Sequence, residues 1–285
     1  MINMKLMQAT SIAEKIVKDE KLEFPIDLAL LAQRNNILLQ PKPITTKGVS
    51  GMLLRCGEEF TIIFATDIKN EGFQRFSIAH EFGHYFLPSH PENVFRNGNI
   101  HESHAGFCSN NQIELEADHF AAGLLMPKHL FSREWGKFSD GLSAIKGLAK
   151  ICNTSLIASA IRYTQLADVP VAIIVSKGTL VEYSFASRQM QQIKGYAHLK
   201  KGLTLPKTSL TYNFNKDLNN IEQSLQKSSE TDLLNWFQAE HEITAKEEAI
   251  GLGSYDKTLT IITANLNKYF DDDEIDESWD DPGFK

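Results

Sequence analysis

Residues 76–88 read FSIAHEFGHYFLP and set His80 and His84 four residues apart, with Glu81 beside the first. At about 3.6 residues per turn, positions i and i+4 share one helical face, so both imidazoles can reach a single metal ion. Glu81 sits about 100° round the helix from His80, close enough to touch a water on that ion. Phe73, Phe76, Ala79, Gly83, Phe86 and Leu87 recur at helical spacing, and Pro88 stops the run. Ile78, Phe82 and Tyr85 make a second apolar face, so this helix is expected to be buried on most sides. Two histidines and a carboxylate on such a helix are costly to desolvate alone, and a metal is the partner their geometry offers.

The pattern is HExxH, in which two histidines hold Zn²⁺ and the glutamate serves as general base. A catalytic zinc needs a third protein ligand and leaves its fourth position to water. Residues 112–127, QIELEADHFAAGLLMP, supply the next helix: Ile113, Ala117, Phe120, Leu124 and Leu125 follow helical spacing and Pro127 ends it. Glu114 and Asp118 share one face of it, whereas Glu116 points to the opposite side. Glu114 is the expected ligand, and Asp118 the expected orienter of a ligand histidine through that ring's other nitrogen. Glu116 is the competing choice of ligand.

The string RFSIAHEFGHYFL, followed after about thirty residues by ELEADHFAAGLLMP, resembles the ImmA/IrrE family of bacterial metallopeptidases. The Glu114, Asp118 spacing also resembles the ExxxD element of gluzincin peptidases. The likeness extends to GVSGMLL before the helix and covers most of residues 1–167. It implies a zinc endopeptidase whose protein substrate is a helix-turn-helix transcriptional repressor, cleaved to relieve repression in a stress or mobile-element response.

The rest of the chain bounds this reading. A length of 285 residues suggests about two domains, and 42% hydrophobic with 23% charged residues is ordinary globular composition. The formal charge of −7 is matched by the last fifteen residues alone, which hold eight acidic residues and one lysine. The remainder is formally neutral and offers no global basic field to nucleic acid. Cys56, Cys108 and Cys152 do not read as a disulfide framework. With neither a signal-peptide run nor a membrane-length apolar stretch, a cytoplasmic location is expected.

The expected fold class is α+β. Residues 1–127 read as a mainly helical metallopeptidase domain with a small β-sheet, and 128–167 as a helix-turn-helix-like region. Residues 168–270 read as a mixed α/β domain, placed where some family members carry small-molecule sensors, and 271–285 as a solvated acidic tail. Within the first domain, helices are expected at 11–20 and 25–34, both against the metal helix, with a short strand at 37–39. A hairpin follows at 51–55 and 60–65. In such a sheet an edge strand near the metal can pair with extended substrate.

Residues 89–111 read as a long irregular loop walling the cleft. His101, His104 and Cys108 within it have ligand-like spacing, although solvated histidines and an ordinary buried cysteine are the simpler expectation. A donor to the reaction's oxyanion is left open among Tyr85, His90, His101 and His104. Residues 142–162 give two short helices joined near Asn153. The turn AKICNTS resembles a helix-turn-helix but lacks its usual glycine, and Lys146, Lys150 and Arg162 are its only charge. Direct DNA binding is therefore not expected. Farther on, a hairpin is expected around Gly178, a helix at 232–242 and a strand at 259–263. A DNA-binding or partner-sequestering regulator with a structural or vestigial zinc site is the alternative to an enzyme.

Overall fold

A computed structural model describes residues 2–42, 48–67, 69–104 and 111–264. Its α+β chain divides into two units, Met1–Ser139 with Ser143–Arg162, and Asp140–Leu142 with Tyr163–Lys285. The acidic tail and Cys108 lie outside the described residues. No helix among the described residues is long and apolar enough to cross a membrane.

The N-terminal unit opens with helices α1 (Ile2–Asp19) and α2 (Leu28–Arg34). Helix α1 begins well before the expected residue 11. Met4 and Met7 stand exposed in its extra turns, so no apolar periodicity marks them. Helix α2 starts three residues later than Pro25 suggested, because Asp27 caps it by accepting from Leu30 N at 2.9 Å. Strands β1 (Ile37–Lys42), β2 (Val49–Cys56) and β3 (Glu59–Ala65) follow, and then α3 (Glu71–Phe86), which carries the HExxH residues. The next elements are α4 (His90–Val94), β4 (Ile100–His104) and α5 (Gln112–Leu125). Helices α6 (Lys128–Trp135), α7 (Leu142–Cys152) and α8 (Leu156–Leu166) complete the helical part.

The sheet order is β1-β3-β2-β4, with β1 parallel to β3 and the other pairings antiparallel. The hairpin of β2 and β3 turns at Gly57, whose φ of +64° a side chain would resist. The described part of the stretch expected to be a loop instead holds both α4 and the edge strand β4. The sequence IHESH hides the strand, because only Ser103 of its five residues is fully buried.

Helix α3 rests on β2 and β3 on one side and on α5 on the other. At the α3–α5 crossing a Cβ on Gly83 would come within 2.9 Å of Ala117 Cα, so the glycine permits the close approach of the two helices. Phe86 stacks between Phe82 and Phe120, with centroids 5.9 Å apart in each pair. Helix α1 packs Ala9, Ala13 and Val17 against α5 rather than against α3. The Thr10 hydroxyl donates to His119 O there at 3.2 Å.

Asn153, at φ +53°, makes the turn between α7 and α8. Its side chain donates to Glu71 Oε1 at 2.5 Å, and a Cβ on Gly72 would lie 3.0 Å from Ser155 N. This turn is therefore seated on the start of α3. Arg162 is buried, with its guanidinium on Glu14 and on Met126 O, so it supplies no charge for phosphate.

The second unit is built on a five-stranded antiparallel sheet. Its elements are β5 (Val171–Lys177), β6 (Leu180–Ala186), α9 (Arg188–Gln191), α10 (Leu210–Phe214) and α11 (Leu218–Glu222). Then come β7 (Gln226–Asp232), α12 (Leu233–Phe237), β8 (Thr244–Gly251) and β9 (Thr258–Ala264), in the order β6-β5-β9-β8-β7. The expected hairpin at Gly178 and the strand near 259–263 are present. The helix expected at 232–242 shrinks to α12, because Asp232 is already the last residue of β7 and caps Leu234 N. Ile174, Met190, Leu233, Trp236, Phe237 and Ile262 form the core on one face. Glu247 is fully buried in this unit, yet its carboxylate accepts from Thr211 N, Thr211 Oγ1 and Trp236 Nε1.

Candidate metal centre

Helix α3 is fixed at its start by Asn70, whose side chain accepts from Phe73 N at 3.0 Å, and ends where Leu87 turns extended before Pro88. Between these ends, Ser77 to His84 are all buried. Helix α5 begins on Asn111, which caps Ile113 N at 3.1 Å. These two starts set the rotation of the helices that bring His80, His84 and Glu114 together.

Those three residues each offer one ligand atom, all within 4.8 Å of one another. His80 Nε2 lies 3.1 Å from Glu114 Oε2 and 3.0 Å from His84 Nε2, and His84 Nε2 lies 3.6 Å from Glu114 Oε1. Asp118 stands behind, with Oδ1 2.8 Å from His80 Nδ1. Glu116, the competing choice, lies on the other side of α5. It accepts from Gln112 Nε2 at 2.9 Å and meets His90 Nε2 at 3.2 Å.

Burial disfavours a charge on His80, but hydrogen bonds to Asp118 and Glu114 outweigh it and raise its pKa to about 10. His84, which lacks a carboxylate as close, is pushed down to about 3 by burial. Glu114 also loses hydration, yet hydrogen bonds from His101 and His80 hold it well below the usual carboxylate range. A proton on His80 thus balances the carboxylates of Glu114 and Asp118, and a metal cation would take over that balance in its place.

Glu81 is completely buried, and among the described residues neither of its oxygens makes a well-aligned hydrogen bond, the Ser103 hydroxyl alongside being the nearest candidate. Burial raises its pKa to about 6, partly countered by His80 and by that hydroxyl. A carboxylate so placed is expensive to bury, and a guest that supplies a proton or a cation would offset that cost. A metal ion with its water is such a guest, and two imidazoles with one carboxylate form the donor set of a catalytic zinc site. These residues fit the metal that the sequence implies.

Two further histidines complete the surroundings, and both were legible only as members of the histidine-rich stretch after Pro88. His101, on β4, brings Nε2 to 3.3 Å from both Glu114 Oε1 and His84 Nε2. His90 is buried behind His84, with Nδ1 to Nδ1 at 3.3 Å, and so stands on the far side from the cluster. Ser89 at φ +66° makes the reversal that returns the chain there after Pro88. Tyr85 is turned onto Phe60, edge to face at 5.0 Å. His104 is exposed on the face of β4 opposite to His101, so the two do not form a second site.

The cluster is a candidate metal centre. Residues 32–162 match the IrrE N-terminal-like domain, Peptidase_M78, in agreement with the ImmA/IrrE resemblance of the sequence. Among solved structures, a Mycobacterium tuberculosis transcriptional regulator is similar in fold, with a TM-score of 0.54 at 13% identity, over 92% of this chain and 78% of that one. No curated protein matches significantly.

Proposed function

We propose that this protein is a zinc-dependent endopeptidase. The observation that carries the reading is the convergence of His80, His84 and Glu114 within 4.8 Å, beside the fully buried carboxylate of Glu81. When bound, the ion supplies a Lewis acid that polarises the scissile carbonyl and makes water a nucleophile near neutral pH. Glu81 takes a proton from the attacking water and hands it to the departing amide nitrogen. Its raised pKa, about 6, suits both halves of that exchange. His101 Nε2 reaches in from β4 and is the side chain best situated to donate to the oxyanion.

Among the described residues no strand pairs with the outer edge of β4, and Ile100 on it is exposed. An extended peptide added there would form backbone hydrogen bonds next to His101. The substrate class we favour is a helix-turn-helix repressor, as the family resemblance implies. The fold neighbour, itself named a transcriptional regulator, agrees with a place in transcriptional control. A DNA-reading role draws less support, because the α7–α8 turn is seated on α3 and Arg162 is buried against Glu14.

The test is a survey of new protein N-termini in cells expressing wild type or Glu81→Gln, at rest and under stress. Termini found only with wild type, concentrated in one DNA-binding regulator, support the proposal. Identical termini in both, with zinc bound in both, overturn it in favour of a metal-stabilised binding protein.

A further inference from the structure

His84 is supported differently from His80. Behind His80 stands a carboxylate, Asp118, whereas behind His84 stands another imidazole, His90, and only then a carboxylate, Glu116. On the cluster side, His84 Nε2 faces His80 Nε2, Glu114 Oε1 and His101 Nε2. On the opposite side, Nδ1 faces only His90 among the contacts of that nitrogen described here.

The donor and acceptor roles along this line follow from chemistry. A carboxylate only accepts, so Glu116 requires a proton on His90 Nε2. A neutral His90 then carries its lone pair on Nδ1, which requires a proton on His84 Nδ1. With that proton on Nδ1, the lone pair of His84 sits on Nε2 and points into the cluster. Gln112 Nε2 donates to the other oxygen of Glu116 and holds the carboxylate in place.

We infer that His90 and Glu116 are positioning residues that fix the tautomer of His84, so that its Nε2 is already a free electron-pair donor before metal arrives. This rests on the reading of His84 as a metal ligand, but it does not require that the protein cleave anything. Glu116 is thus kept out of the ligand set and acts on it from two residues away in the hydrogen-bond chain.

The test is ¹⁵N NMR of histidine tautomers in the full-length metal-free protein, paired with zinc affinity from chelator competition. In wild type the proton is expected on Nδ1 of His84 and on Nε2 of His90. In Glu116→Gln, the Oε1 position still accepts from Gln112, so the new amide NH₂ is turned toward His90. That donor favours the opposite His90 tautomer, and zinc binding should weaken on the order of 10-fold. His90→Leu should weaken it by about 10- to 100-fold, and His90→Gln should recover most of the loss, since its amide oxygen can accept from His84 Nδ1. A proton on Nε2 of His84 in wild type overturns the inference without any variant. So does unchanged zinc affinity in both Glu116→Gln and His90→Leu. A protein with the expected tautomers that never cleaves peptide would sink the peptidase proposal and leave this one standing.

Discussion

Gly51 on β2 lies directly against the carboxylate of Glu81, so closely that a methyl group at residue 51 would sit 2.6 Å from Oε1. The β2–β4 pairing also shifts register between Val49 and Gly51. Gly51→Ala should therefore displace the base while leaving the metal ligands alone. The expected result is a loss in kcat on the order of 10- to 100-fold with zinc affinity unchanged, measured by turnover and chelator competition on the same preparation.

Glu114 and Glu116 point to opposite sides of α5 and meet different partners, His80 and His101 for the first, Gln112 and His90 for the second. Glu114→Ala should abolish stoichiometric zinc, whereas Glu116→Ala should retain it with weakened affinity. Elemental analysis after dialysis checks both, and the opposite pattern would exchange their roles.

Asp118 holds the nitrogen of His80 that faces away from the cluster. Asp118→Ala should weaken zinc binding by about 10- to 100-fold without preventing folding. Titration against a fluorescent chelator gives the number, and circular dichroism shows whether the fold persists.

Metal binding should expel protons. With its pKa raised to about 10, His80 is protonated in the metal-free protein at pH 7, whereas His84, lowered to about 3, and Glu114 are already deprotonated. About one proton is then released per ion at neutral pH, and apparent affinity rises about tenfold per pH unit as pH increases toward the His80 value. Calorimetry in buffers of different ionisation enthalpy counts the proton. The sign follows from the His80 shift: acid strengthens the competing proton and weakens metal.

Gly83 faces Ala117 where the two ligand-bearing helices cross. Gly83→Ala places a methyl 2.9 Å from Ala117 Cα and should cost about 1–3 kcal/mol, seen as a lower denaturation midpoint at unchanged m.

Much of the centre was legible because helical periodicity places side chains before any tertiary contact is known. His80, Glu81, His84, Glu114 and Asp118 were nameable from two runs of apolar spacing ended by prolines. His90 and His101 were visible only as histidines in an irregular stretch, since their roles depend on the reversal at Ser89 and on a strand pairing across roughly fifty residues. The missed strands share a cause. Strand β7, QKSSETD, is an exposed polar edge, and β8 buries Glu247 and Glu248 where apolar residues would mark a strand. Besides the neighbouring Lys246 on Glu248, their partners include Thr211 and Leu142 N, which lie far off in the sequence.

Strand β4 presents His101 and Ser103 to the centre and Ile100, Glu102 and His104 outward. Because side chains alternate along a strand, sliding β4 by one residue against β2 would exchange the two sets entirely. The chemistry of the site is therefore written partly in the alignment of two strands. Such a slip would turn His101 and Ser103 away from the cluster while leaving His80, His84 and Glu114 in place.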